Sequence, residues 1–118
     1  MKTLLAAALA IATLAAHARE TPIHLAIAPG KVGEVCMPLA AGDTLAWRFK
    51  ASAALDFNLH QHVDKEVLMP VERKAVASDR ARHTVERANE WCLMWTAPAG
   101  QRITVQGAWW LAQPGSAK

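Results

Sequence analysis

The sequence is poor in the residues that break or loosen a chain, with only six glycines and six prolines among 118 residues. That scarcity excludes a collagen-like or low-complexity chain. Charge is also modest, at 19% of residues against 53% hydrophobic ones, which excludes wholesale disorder. No glycine-rich phosphate cradle and no His-Glu-x-x-His motif occur. Ser52, Ser78 and Ser116 stand in no nucleophile-elbow context. The sequence names no catalytic residue and reads as a non-enzyme. Length allows one domain.

Long hydrophobic runs are absent after the first eighteen residues. Met1-Lys2 is a positive start, Leu4 to Ala16 is almost unbroken apolar sequence, and Ala16-His17-Ala18 offers small residues for a peptidase. This layout predicts a signal peptide over 1–18, because the run falls short of the ~20 residues that span a bilayer. The expected product is periplasmic or secreted and does not span a membrane. Of the 13 basic side chains Lys2 falls in this leader, and the rest nearly balance the 10 acidic ones. The densest basic stretch, Arg73-Lys74 through Arg80 and Arg82, reads as a solvated loop, not a nucleic-acid patch.

Cysteine is scarce, with only Cys36 and Cys92. An even count in an exported chain predicts a disulfide. Closing so long a loop restricts the unfolded chain by about 4 kcal/mol. The competing reading makes the two thiols metal ligands. Met37 and Met94, close to the cysteines, are expected to pack against the bridge.

Period-2 alternation is the dominant pattern. Leu45, Trp47 and Phe49 alternate with smaller or charged residues, as do Leu55, Phe57 and Leu59, and then Trp91, Leu93 and Trp95. Trp47, Phe49, Phe57, Leu59, Trp91, Leu93 and Trp95 should form most of the core. Glu72 to Arg82 lacks a clean period and reads as a loop. The pattern predicts an all-β domain over 19–112, a disulfide-linked antiparallel β-sandwich of about seven or eight short strands. A small closed barrel is the alternative. Residues 113–118 read as a flexible tail.

One set of motifs resembles a known family. Cys36-Met37-Pro38-Leu39, Gly42-Asp43-Thr44-Leu45, Asp56-Phe57-Asn58-Leu59-His60 and Glu90-Trp91-Cys92-Leu93-Met94-Trp95 resemble the GOLD domain. That domain is the lumenal β-sandwich of secretory-pathway cargo receptors. The resemblance implies a sandwich, a bond between the early and late cysteines, and a habit of protein–protein contact. Cargo receptors continue into a coiled coil, a membrane span and a sorting tail. This chain has only a short polar stretch after Trp110, so the trafficking role is not expected to carry over.

The sharpest chemical signal is Asn58-Leu59-His60-Gln61-His62. On a strand His60 and His62 share a face, about 6.5–7 Å apart. Two imidazoles so placed can converge on copper or zinc. Met69, His83, Met94, Asp64 and Glu66 are candidate further ligands, and the competing reading is an ordinary polar face that carries Asp56 and Asn58. Trp109 and Trp110 are adjacent and should point to opposite faces, one of them towards a partner. These features predict an exported binding module that contacts another envelope protein, or alternatively a periplasmic copper- or zinc-binding protein.

Overall fold

The computed structural model describes residues 19–113; the expected signal peptide and the end of the expected tail lie outside the described residues. Among the described residues there are six antiparallel strands: β1 (Thr21–Ile27), β2 (Val32–Leu39), β3 (Thr44–Val63), β4 (Glu66–Thr84), β5 (Asn89–Thr96) and β6 (Ile103–Leu111). The count falls below seven or eight because segments expected to be separate run together. The two alternating stretches around Trp47 and Phe57 form one 20-residue strand, β3. Ala51-Ser52-Ala53-Ala54 between them contains neither glycine nor proline, so the backbone stays extended.

The stretch from Glu72 to Arg82 is likewise strand and not loop, within the 19-residue β4. Its charges sit on an edge strand that pairs only with β3, where exposed charge discourages pairing with another chain. Pro70, which lacks an N–H, is tolerated on that edge at a bulge. The hairpin turns at Asp64-Lys65, with Asp64 in the left-handed region at φ 55°.

β3 serves two layers. Its first half pairs with β6 through Leu45↔Leu111 to Ala51↔Val105, and β1 adds to β6. Its second half pairs with β5 through Asp56↔Thr96 to Gln61↔Trp91, and β2 adds to β5. β4 follows the opposite edge of β3 through both halves, with register shifts between Lys50 and Leu55. The sheet therefore curls over, and aromatic rings from the two halves meet inside. Phe49 of the first half lies edge-on to Trp95 of the second, with centroids 5.6 Å apart, and Trp47 meets Phe57 at 5.7 Å.

The outermost strands β1 and β2 come together without pairing, so the curled sheet does not close into a barrel. Gly33 permits that approach, since a Cβ there would lie 2.9 Å from the Ile27 side chain. Gly107 does the same between β6 and β3, where a Cβ would collide with the backbone of Arg48 and Phe49.

All of the predicted core residues are buried, joined by Leu45, Ile103 and Val105, none of them more than 3% exposed. Met37 also lies in this core, whereas Met94 is half-buried on the outer face. The Trp47 indole donates to Asp79 Oδ2 at 3.0 Å, which satisfies a polar atom the burial would otherwise orphan. Cys36 and Cys92 face each other in register and are bonded. Their Cα atoms are 4.1 Å apart, slightly closer than the usual disulfide range, as suits a directly opposed antiparallel pair. The reading of two metal-ligating thiols is thereby corrected.

Leu59 is fully buried between the halves. Leu59→Ala is expected to lower unfolding free energy by about 2–5 kcal/mol, read from the shift of a urea midpoint at constant slope.

Candidate functional site

Along β3 the odd-numbered side chains Leu45, Trp47, Phe49, Leu55, Phe57, Leu59 and Gln61 point inwards and are buried. The even-numbered ones therefore form the outer surfaces of both halves. The two surfaces differ in chemistry.

On the second half, Cys36, Cys92 and His60 occupy one row across β2, β5 and β3, and Glu34, Met94 and Asn58 the next. His60 and His62 do share this face, with ring centroids 5.2 Å apart and nearly perpendicular planes. The face is less open than its sequence suggests. His60 is only 3% exposed, while His62 is exposed. Asn58 Oδ1 lies 2.8 Å from His60 Nδ1, and Glu34 Oε2 lies 3.8 Å from His60 Nε2. Glu34 Oε1 also touches Cys36 Sγ at 3.2 Å, without a hydrogen bond, because the bridged sulfur has no proton.

The other candidate ligands fare differently. Met69 lies in the bulge of β4 opposite His60, since Leu59 pairs with Val71 and Gln61 with Leu68. It is exposed, as are Asp64 and Glu66 at the hairpin end. Asp56 accepts from the Ala75 amide at 3.0 Å. His83 does not join the pair. It is opposite Leu45 and faces inwards, its ring 6.0 Å from that of Trp91. Trp91 is on the inner face of β5, whereas Cys92 beside His60 is on the outer one. Glu34 and Asn58 are the neighbours the sequence did not nominate. Asn58 could be found from its i, i+2 spacing to His60, but Glu34 needed the β2–β5 register.

On the first half, the tryptophan pair splits as alternation requires. Trp109 packs inwards against the core, opposite Trp47. Trp110 points out, and the Arg48 guanidinium sits 5.3 Å from its ring centroid. Arg48 is fixed by a bidentate pair with Glu20, at 2.7 and 2.8 Å. Register places Arg48 beside Arg80, Lys50 beside Ser78 and Ala46 beside Arg82. Lys50 and Arg80 have no carboxylate within ion-pair distance among the described residues. With Arg48, Phe49, Ser78, Asp79, Gln106 and Gly107 they surround an open hollow of about 450 Å³. Sequence reading missed this surface because its cations come from two strands more than 25 residues apart.

The fold has a counterpart among solved structures. The Aeromonas hydrophila protein PliG, a periplasmic lysozyme inhibitor of g-type lysozyme, matches with a TM-score of 0.56 over 80% of this chain and 88% of that one. Sequence identity is 11%, so the likeness is one of fold. No protein-family model and no curated protein matches the chain.

Burial holds the His60 imidazole below its ordinary value of 6.5, against the pull of the Glu34 carboxylate and with some help from His62. The unfolded chain therefore takes up a proton near 6.5 that the folded chain resists. Stability present above that pH is lost as pH falls towards the depressed folded value. In buffer with a chelator, the urea midpoint should drop between about pH 8 and pH 5, and His60→Gln should flatten that dependence.

Proposed function

We propose that this chain is an exported, non-enzymatic protein-binding module, and that its envelope partner is a glycan-cleaving enzyme of the lysozyme type. The observation that carries this reading is the basic and aromatic outer face of the first half. Arg48, Lys50 and Arg80 line an open hollow there together with Asp79, Trp110 lies against Arg48, and Glu20 pairs with Arg48. Glycosidases of this kind present carboxylates in an exposed cleft. A surface rich in cations complements such a cleft and steers the encounter. Arg48, held by both Glu20 and Trp110, loses little freedom on binding, which favours affinity.

Other features support the same reading. The leader-like first eighteen residues and the disulfide fit an oxidising compartment outside the cytoplasm. The fold resembles that of PliG, a periplasmic lysozyme inhibitor. The resemblance to the GOLD domain carries the same habit of protein contact.

The test is peptidoglycan turnover by a purified g-type lysozyme in the presence of this protein. Inhibition at micromolar concentration or below is expected, weakening as salt rises. Lys50→Glu with Arg80→Glu should raise the inhibitory concentration by about tenfold or more, and the same reversals at Lys65 and Lys74 should change it little. Undiminished turnover with no measurable binding would remove the lysozyme-type partner from consideration.

A further inference from the structure

The outer face of the second half carries a separate site. Glu34 on β2 and His60 on β3 flank β5, two strand spacings apart, roughly 9.5 Å. Their side chains nevertheless meet above β5, with His60 Nε2 and Glu34 Oε2 3.8 Å apart. The Asn58 carbonyl oxygen can only accept, so the His60 Nδ1 beside it carries the proton. In the neutral ring Nε2 then presents a lone pair, and it presents it to a carboxylate. Among the described residues Glu34 finds no donor on its other oxygen, which rests on a bridged sulfur. Two electron-rich groups therefore face each other beside a side chain that is only 4% exposed, and a positive centre between them completes the arrangement.

The chemistry of that centre follows from the donors. We propose that Glu34, His60 and His62 form a binding site for a zinc or cupric ion, with Asn58 orienting the His60 ring. A histidine that ligates through one nitrogen and donates from the other to a fixed acceptor is the usual arrangement at metal centres. Zinc bound tetrahedrally to an imidazole and a carboxylate separates the two donor atoms by roughly 3.3–3.5 Å. Closing from 3.8 Å needs a shift of a few tenths of an ångström, and the Glu34 side chain, 39% exposed, can make it. His62 stands edge-on to His60 at 5.2 Å and is exposed; it does not group with Glu34 and His60 at ligand distance as placed, so its part in the site requires a change of rotamer on binding. Two imidazoles and a carboxylate suit zinc or cupric ion better than cuprous ion, which favours thioethers. Met69 and His83 are outside this donor set. Glu34, Cys36 and Cys92 also lie close together, but the bridged sulfurs cannot ligate as thiolates.

Calorimetric titration of untagged, oxidised protein with zinc chloride tests the assignment. One zinc ion per chain at micromolar affinity is expected, weakening at acid pH as protons compete with the metal for the ligand atoms. Glu34→Ala and His62→Ala, both at exposed positions that leave the core intact, should each weaken binding by about tenfold or more. His24→Ala, on the outer face of the other half, should leave it unchanged. A wild-type protein that binds zinc only at millimolar concentration would overturn the site. Equal affinity in wild type and Glu34→Ala would overturn it as well, as would loss of binding in His24→Ala.

Discussion

One strand is shared by both layers of this protein, and the rest of the structure depends on how it bends. β3 gives its first half to β6 and its second half to β5, and both neighbours lie on the same edge. A straight strand of that length would leave two flat sheets side by side with their apolar faces wet. The bend falls between Lys50 and Leu55, in a run of small residues, and swings one half over the other. Phe49 and Phe57, on opposite sides of the bend, then meet at a tilt with centroids 4.8 Å apart and share Trp95 as a third ring. Burial of three rings at one corner offsets the local loss of ladder hydrogen bonds. The disulfide acts away from this corner. It ties β2 to β5 on the outer face, so it secures the end of the second layer and leaves the bend to packing.

How far the sequence could be read follows from the same strand. Residues in β3 keep one alternation from Leu45 to Gln61, odd positions in and even positions out, and that stretch was legible from period alone. β5 was legible for the same reason. β4 was not, because it absorbs the irregularities of the pairing. Its inward positions opposite buried residues of β3 are Ala81, Asp79, Val76, Arg73 and Val71, a spacing of two, three, three and two. Ala75 sits within this stretch with φ at 53°, and such shifts erase any period-2 signal. Two of those inward positions are charged, Asp79 and Arg73, and they meet each other at 3.5 Å while Asp79 also receives the Trp47 indole. A sequence pattern that treats charge as exposure therefore assigns the part of this strand from Glu72 to Arg82 to a loop.

The candidate sites were legible to the extent that their residues are close in sequence. His60 and His62 are found on one face because i and i+2 share a side of any strand. Glu34 is invisible at that level, since its approach to His60 depends on β2 and β3 both pairing with β5. His83 illustrates the converse. Its residue type fits a ligand set, but register sets it against Leu45 on the inner face, where its ring meets Trp91. Trp110 was separated from Trp109 correctly by alternation. The cations that make its surroundings distinctive come from β3 and β4 together and emerge only with the pairing of Arg48 with Arg80 and Lys50 with Ser78.

Even-numbered positions on β3 thus supply both outer surfaces, Arg48 and Lys50 before the bend, Asn58 and His60 after it. The bend decides how these surfaces relate. Because the two inner faces are pressed together, the two outer faces look away from each other, and one partner of ordinary size cannot cover both with a single flat contact. The basic surface proposed to dock a protein and the imidazole–carboxylate pair proposed to hold a cation could therefore be occupied independently. Coupling between them would have to pass through β3 and the aromatic cluster at its corner. That cluster is close-packed, with Trp47, Phe49, Phe57 and Trp95 each almost wholly buried. Packed interiors resist graded deformation, so occupation of one face is expected to leave the other unchanged.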